Sequence, residues 1–177
     1  MKLIPRAEEK AYVQSYKPRR KIDGVQIFDL KRFTADEGDF SEVMRFTPEG
    51  GFEIMPEFKV AQINRTTIFP GAVKAWHFHF NQDEFWYVPP SFQVFVGLWD
   101  IRAESPTAND WMRLQLGGGD SKMLYIPRGV AHGMANFSKQ NIELFYFVNN
   151  KFSIEEPDER RIPWDAFLPD FWQPERD

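Results

Sequence analysis

The chain has 177 residues, of which 42% are hydrophobic and 16% aromatic, so it has enough apolar material for a packed core and is not globally disordered. Its formal net charge of −4 argues against a nucleic-acid-binding surface. The absence of cysteine excludes disulfides and thiolate metal ligands. The N-terminus lacks an apolar signal segment and no stretch approaches a membrane span, so we expect a cytoplasmic protein without membrane contact.

The first part of the chain predicts an arm followed by short strands. Residues 1–21 are mixed and polar and end in a basic run, which predicts a solvated N-terminal arm. Residues Val25–Leu30 alternate as a strand does, and Thr34–Asp39 is typical of a turn. Further strands are predicted at Phe58–Phe69, on both sides of a turn within Phe85–Leu98, at Trp111–Leu116 and at Ile142–Val148.

The last part of the chain shows no regular pattern. Residues 157–177 mix prolines and aromatic residues without a clear period, which predicts an irregular C-terminal tail wrapped over the rest of the protein. Many short strands separated by turns, with almost no helical pattern, are typical of a double-sheet jelly roll or barrel. We therefore predict one all-β domain over residues 1–177, with the jelly roll at 22–156.

The chain has only three histidines, and all of them lie in two short stretches, Gly71–Ser91 and Tyr125–Asn136. His77 and His79 are in the first stretch, where an extended strand would project both side chains to the same face. His132 is in the second, after an Ile-Pro-Arg-Gly turn. Glu84 follows His79 closely enough to lie on the same or the adjacent strand. This clustering predicts a functional site with three imidazoles and one carboxylate.

These two stretches resemble the two motifs of the cupins. The first motif is matched by Gly71, His77, His79 and Glu84, with Ser91 in place of its last glycine. The end of the second motif is matched by Pro127, Gly129, His132 and Asn136. The resemblance implies a double-stranded β-helix, the cupin jelly roll.

A narrower resemblance, to the dTDP-4-dehydrorhamnose 3,5-epimerases, covers most of the chain. The matching segments are I-D-G-V-Q-I-F-D-L from Ile22, F-K-V-A-Q-I-N from Phe58, G-A-V-K-A-W-H from Gly71, D-I-R-A-E-S-P-T from Asp100, I-P-R-G-V-A-H-G from Ile126, E-L-F-Y from Glu143 and P-D-E-R-R-I-P-W-D from Pro157. Their order along the chain is that of the family. The resemblance implies an isomerase that acts on a nucleotide-linked 4-keto-6-deoxy sugar or a related carbohydrate, and a homodimer.

The same resemblance implies roles for particular side chains. His77 would be a general base that removes a proton next to a ketone, because imidazole titrates near neutrality. Tyr146 would return a proton from the opposite wall. The residues implied to bind the substrate are Gln62, Asn64, Lys74 and His132. This chemistry requires no cofactor.

The chain departs from the epimerases at three positions. Glu84 lies at or near the place of a family lysine, and Glu37 falls where an arginine of the family grips the nucleotide diphosphate. The C-terminal segment whose aspartate orients the catalytic histidine is missing. Asp165 and Asp170 are the two residues that we consider as substitutes, because a histidine without a carboxylate partner is a less oriented base.

The same residues leave two other functions open, a metal-dependent enzyme and a non-catalytic binding protein. His77, His79, Glu84 and His132 are suitable ligands for one divalent metal such as Zn, Fe, Mn or Ni, which would act as a Lewis acid. In that case the protein would be a metal-dependent cupin enzyme. In the third class it would be a non-catalytic cupin that binds a carbohydrate or a metal.

Overall fold

The structure is a computed structural model that describes residues 1–14, 20–168 and 170–174. Its described part contains a short helix, α1 (Pro5–Lys10), and fourteen strands. The strands are β1 (Gln26–Asp29), β2 (Arg32–Ala35), β3 (Gly38–Ser41), β4 (Gly51–Phe52), β5 (Met55–Lys59), β6 (Gln62–Ile68), β7 (Val73–Phe78), β8 (Glu84–Tyr87), β9 (Gln93–Asp100), β10 (Trp111–Gly117), β11 (Lys122–Ile126), β12 (Val130–Ala135), β13 (Ile142–Val148) and β14 (Arg160–Arg161). None of the described residues belongs to a helix long and apolar enough to cross a membrane.

The strands form two five-stranded antiparallel sheets. One sheet has the order β1-β11-β8-β13-β6, and the other has the order β10-β9-β12-β7-β14. Two small hairpins, β2-β3 and β4-β5, are separate from these sheets. This double-sheet arrangement confirms the predicted all-β jelly roll.

The main core lies between the two sheets. Alternate residues of one strand point inward, so Val94, Val96 and Leu98 of β9 are all fully buried. From the other sheet, Leu124 and Leu144 pack into the same cluster. Burying one such side chain contributes about 1.5 to 3 kcal/mol to stability. The β-branched and leucine-rich strands thus hold the two walls of the barrel together.

A second cluster fixes the C-terminal segment to the outer face of one sheet. Trp76 is fully buried there against Phe171 and Trp172, with ring centroids 4.9 Å and 4.7 Å away. Gly97 makes this contact possible, because a Cβ at Gly97 would lie only 2.4 Å from the ring of Phe171. The tail that the sequence predicted as irregular is therefore anchored by aromatic packing.

The tail also adds a strand to the sheet. Backbone hydrogen bonds join Trp76 and Ile162 in both directions, at 3.0 Å and 3.1 Å, and β14 pairs with β7 beside them. A two-residue strand has no detectable alternation, which is why the sequence did not predict it. No helix occurs among the described residues of this tail.

Several expected elements differ from the structure in detail. The turn expected at Thr34–Asp39 is the tip of the β2-β3 hairpin, with only Asp36 and Glu37 as turn residues. The long strand expected at Phe58–Phe69 is interrupted between β5 and β6. Residues 1–14 are exposed, as expected for an arm, but they include α1. Most of the basic run lies outside the described residues.

Asp100 is a buried carboxylate that holds the loop between β9 and β10. It accepts hydrogen bonds from the backbone and guanidinium of Arg102 and from the hydroxyls of Ser105 and Thr107. Burial opposes its ionisation, but these bonds lower the pKa of Asp100 to about 2. The charged form is thus the form that the folded protein stabilises.

Replacing Asp100 with asparagine is expected to lower the free energy of unfolding by about 2 to 4 kcal/mol, because an amide cannot accept all of these bonds. Urea unfolding at neutral pH measures the loss, with the exposed Asp120→Asn as the control. In the wild type, this contribution is expected to be lost as the pH falls from the usual Asp value near 3.8 through about 2. Equal stability of the two variants would show that the loop does not depend on the charge of Asp100.

Candidate active site

A row of three side chains crosses the sheet that contains β7. His77 lies directly opposite His132 of β12 on one side and Arg161 of β14 on the other. Directly opposed residues in antiparallel strands project to the same face, so all three line the interior wall. Exposure increases along the row: His132 is 3% exposed, while the side chain of Arg161 is 70% exposed. The row therefore runs from the core to the edge strand β14, and we call this exposed edge of the interior the mouth of the barrel.

Lys74 belongs to the same wall because the pairing of β7 and β12 shifts in register. Lys74 lies opposite Met134, while His77 lies opposite His132. A step of three residues along β7 therefore matches a step of two residues along β12, as in a β-bulge. The ammonium of Lys74 donates to the hydroxyl of Thr66 at 2.5 Å. Since Thr66 lies on β6 of the other sheet, Lys74 bridges the two walls.

The opposite wall contributes the tyrosine and the amides. Tyr146 of β13 lies opposite Asn64 on one side and Trp86 on the other, and Trp86 is part of the main core. Asn64 accepts a hydrogen bond of 2.7 Å from the amide of Gln62. The structure thus places His77, Lys74 and His132 on one wall and Gln62, Asn64, Glu84 and Tyr146 on the other. Glu84 was expected on the same or the adjacent strand as the histidines, whereas β8 lies in the opposite sheet.

Glu84 is a buried carboxylate surrounded by donors. Its Oε1 accepts from Gln82 at 2.7 Å and lies 3.1 Å from His79 Nε2. Its Oε2 accepts from the indole of Trp86 at 2.5 Å and lies 3.7 Å from His132 Nε2. Burial opposes ionisation, but the nearby imidazoles and these hydrogen bonds lower the pKa of Glu84 to about 2. Glu84 is therefore an anion at neutral pH.

The protonation states of His77 and Tyr146 suit a base and an acid. Burial, followed by the charge of His132, lowers the pKa of His77 to about 4. Its Nε2 is buried and has no hydrogen-bond partner among the described residues. Burial, with the charges of Glu84 and Glu159, raises the pKa of Tyr146. At neutral pH, His77 is a neutral imidazole and Tyr146 retains its hydroxyl proton.

The tautomer of His132 follows from its backbone contact. Its Nδ1 lies 3.0 Å from the carbonyl oxygen of Val130, which can only accept a hydrogen bond. Nδ1 therefore carries the proton, and Nε2 faces the side of Glu84. Burial is the main reason that the pKa of His132 is lowered.

The four residues considered as metal ligands do not come together as one set. One ligand atom each from His79, Glu84 and His132 lies within 4.8 Å of the others, and His77 is outside this group among the described residues. Each oxygen of Glu84 also accepts one hydrogen bond from a protein donor. The described residues thus offer three neighbouring ligands, without His77, and do not fit the expected four-ligand centre.

The carboxylates near the histidines are not those that the sequence suggested. Asp165 and Asp170 are both exposed. Asp158 lies 3.8 Å from His79 Nδ1 and accepts hydrogen bonds from the backbone of residues 80 and 81. Glu159 acts on His77 in the direction that raises its pKa. Both acids lie in the P-D-E-R-R segment, whose match to the epimerases was the only sign of its importance.

The comparison with known proteins decides the family. The profile of the dTDP-4-dehydrorhamnose 3,5-epimerase family matches residues 19–169. The chain belongs to this family of sugar-nucleotide epimerases. The resemblance seen in the sequence is thereby confirmed, and with it the class of enzyme, an isomerase. The family supports the epimerase interpretation over the metal-dependent and non-catalytic ones.

Curated relatives of this epimerase family cover most of the chain. The spore coat polysaccharide biosynthesis protein SpsL of Bacillus subtilis is 33% identical over 81% of this chain and 91% of its own length. The probable low-salt glycan biosynthesis epimerase Agl13 of Haloferax volcanii is 30% identical over 81% of this chain and 89% of its own length.

Solved structures share the fold. A dTDP sugar isomerase from Desulfovibrio desulfuricans superposes with a TM-score of 0.72 at 25% identity, over 85% of this chain and 92% of that one. NovW of Streptomyces spheroides, a 4-keto-6-deoxy sugar epimerase from the novobiocin gene cluster, has a TM-score of 0.73 at 22% identity, over 93% of this chain and 84% of that one. These likenesses confirm the jelly roll of the epimerases.

Proposed function

We propose that this epimerase inverts carbon centres next to the ketone of a dTDP-linked 4-keto-6-deoxy sugar. The observation that carries the proposal is the placement of His77 and Tyr146 on opposite walls of one interior, with protonation states that suit a base and an acid. The names of relatives support the substrate class: NovW is a 4-keto-6-deoxy sugar epimerase, and an enzyme from Legionella pneumophila was solved with dTDP-4-keto-L-rhamnose.

The proposed reaction consists of two proton transfers. The neutral imidazole of His77 takes a proton from the carbon beside the ketone, and the electron pair of the broken C–H bond moves onto the carbonyl oxygen as an enolate. Lys74 would stabilise this oxyanion. The hydroxyl of Tyr146 then gives a proton to the opposite face of the same carbon, which inverts it. Solvent returns the proton to Tyr146 and removes it from His77, so no cofactor is needed.

The amides of Gln62 and Asn64 would bind the sugar. They lie side by side on β6, and each of them still has donor or acceptor capacity besides the hydrogen bond of 2.7 Å that joins them. Such paired amides can bind sugar hydroxyl groups from one wall while the chemistry takes place between the two walls. They are thus positioning groups in this proposal.

We also propose a homodimer. The β2-β3 hairpin is separate from the main sheets, and its Phe33 and Phe40 are 52% and 64% exposed. An exposed hairpin with large apolar side chains is suited to packing against a second copy of the chain.

Solvent exchange tests the reaction. The purified protein, incubated in D₂O with a dTDP-linked 4-keto-6-deoxy sugar, is expected to introduce deuterium at a carbon adjacent to the ketone, as followed by NMR. A sample containing the unmodified dTDP-linked sugar, which has no ketone and no acidic C–H bond, is the control. Binding of the keto sugar without exchange would support a non-catalytic cupin and contradict the epimerase proposal.

The metal-dependent alternative predicts a different result. Elemental analysis of protein purified without chelators or nickel resin would find about one equivalent of metal, lost on His79→Ala. Exchange activity in protein that contains no metal would contradict that alternative.

A further inference from the structure

Arg161 is the charged end of the row that contains the proposed base. Its partner in the β-ladder is His77, so the Cβ atoms of the two residues lie about 4.5 to 5.5 Å apart. The side chain of Arg161 is 70% exposed, whereas His77 is only partly exposed. The guanidinium thus lies between the site and the solvent, on the face that lines the interior.

Arg161 is held in place by one carboxylate. Its Nε donates to Glu159 Oε1 at 2.9 Å, and its Nη2 lies 2.8 Å from the same oxygen. This pairing uses one edge of the planar guanidinium and a single oxygen atom. The second terminal nitrogen, Nη1, takes no part in this pair, so this largely exposed side chain has a further donor for an anion. The pair is therefore an oriented cation at the mouth of the site.

The charges of this pair act on the interior. Besides burial, the charge of Arg161 contributes to the lowered pKa of His77, while Glu159 opposes it. Glu159 also acts on His132 and Tyr146. Charges that influence residues on both walls are close to the space that a substrate would fill.

A ligand with a diphosphate needs a cation outside the reaction space. Lys74 is already bonded to Thr66 between the walls. The resemblance aligns Glu37, at the tip of the β2-β3 hairpin, with the arginine that grips the diphosphate in the epimerases, and a carboxyl residue would not replace it. Guanidinium is the side-chain group that best matches phosphate oxygens.

We propose that Arg161 binds the diphosphate of the nucleotide sugar at the mouth of the barrel, and that Glu159 orients it and is its counter-ion when the site is empty. This inference rests on the proposed function, because it takes a nucleoside diphosphate to be part of the substrate. A bound diphosphate would share the guanidinium with Glu159 and lie beside the sugar that faces His77. Arg161 would thus help to determine which sugars, nucleotide-linked or free, are accepted.

The neighbouring Arg160 provides a matched control. It lies on the same two-residue strand and has the same charge, but it is opposite Phe78, whose side chain packs in the outer cluster. Its guanidinium donates to the backbone of Pro157 at 2.6 Å. Arg160 therefore faces away from the interior, and its replacement removes the same charge from the other side of the strand.

Binding of dTDP to the full-length protein, measured by calorimetry at low and moderate salt, tests the proposal. Arg161→Gln is expected to weaken binding about tenfold and to reduce its salt dependence. Glu159→Gln is expected to strengthen binding about threefold, because it removes a competing carboxylate. Arg160→Gln is expected to bind as the wild type does.

The outcomes separate this inference from the proposed function. Wild-type protein that binds dTDP, together with Arg161→Gln and Arg160→Gln variants of equal affinity, would overturn the role of Arg161 and leave the epimerase proposal intact. Wild-type protein that binds no dTDP but exchanges the proton of a 4-keto sugar would also overturn the role of Arg161. The epimerase proposal would stand in that case, but the protein would not bind the diphosphate that this role requires. Circular dichroism of each variant confirms that the fold is retained.

Discussion

Replacing His77 with glutamine is expected to reduce the rate of epimerisation and of solvent exchange by about 10² to 10⁴-fold, the usual contribution of a positioned general base. Glutamine has a similar size and polarity, so binding of the nucleotide sugar should change little. The measurement is single-turnover exchange in D₂O, with dTDP affinity as the check that the site is formed. Exchange at the wild-type rate would show that another group removes the proton.

The pH dependence gives a second readout of the same residue. Because burial lowers the pKa of His77 to about 4, the base is neutral and active from about pH 5 upward. Below that value it becomes protonated and inactive. The value of kcat/KM for the wild type is thus expected to fall on the acid side with an apparent pKa near 4. A fall centred near 6.5 would indicate a solvated imidazole and contradict the buried site.

Replacing Tyr146 with phenylalanine is expected to reduce formation of the inverted product by about 10² to 10⁴-fold, because the ring remains but the proton donor is lost. Removal of the proton by His77 does not require the hydroxyl, so slow deuterium incorporation with retained configuration should persist. This split between exchange and inversion distinguishes a donor from a residue that only packs. NMR of the sugar measures both quantities in one sample.

Two controls complete this experiment. Tyr125→Phe removes another half-buried hydroxyl, whose pKa burial raises to about 12, from a residue that packs in a different cluster, and it should epimerise as the wild type does. The metal alternative expects Tyr146→Phe to be active and His79→Ala to be inactive. Inverted product formed at the wild-type rate by Tyr146→Phe would remove this tyrosine from the mechanism.

Local pattern was sufficient for the type of fold and for most of its strands. The alternation at Ile142–Val148 predicted β13 with its observed bounds, and Phe85–Leu98 was correctly predicted as strands around a turn. These segments are long enough for their side-chain period to be visible. The scarcity of histidine likewise pointed to the candidate site, since all three histidines lie in two short stretches.

Long-range packing determined what local pattern did not contain. The two residues of β14 show no alternation, and they become a strand because Phe171 and Trp172 anchor the tail on Trp76. The same packing carries Glu159 and Arg161 to the mouth of the barrel. No local signal specified this, because the contact joins residues that are distant along the chain.

The sequence by itself determined the all-β fold, the family and the candidate residues, because these depend on side-chain period and on motifs that are local in the chain. Only the tertiary structure decided which candidates face one another. The shift in register between β7 and β12 puts Lys74 and His77 on one face, and the opposite sheet supplies Glu84 and Tyr146. Burial between those two sheets, which no local segment contains, lowers the pKa of His77 and raises that of Tyr146, and these are the protonation states that the proposed base and acid require.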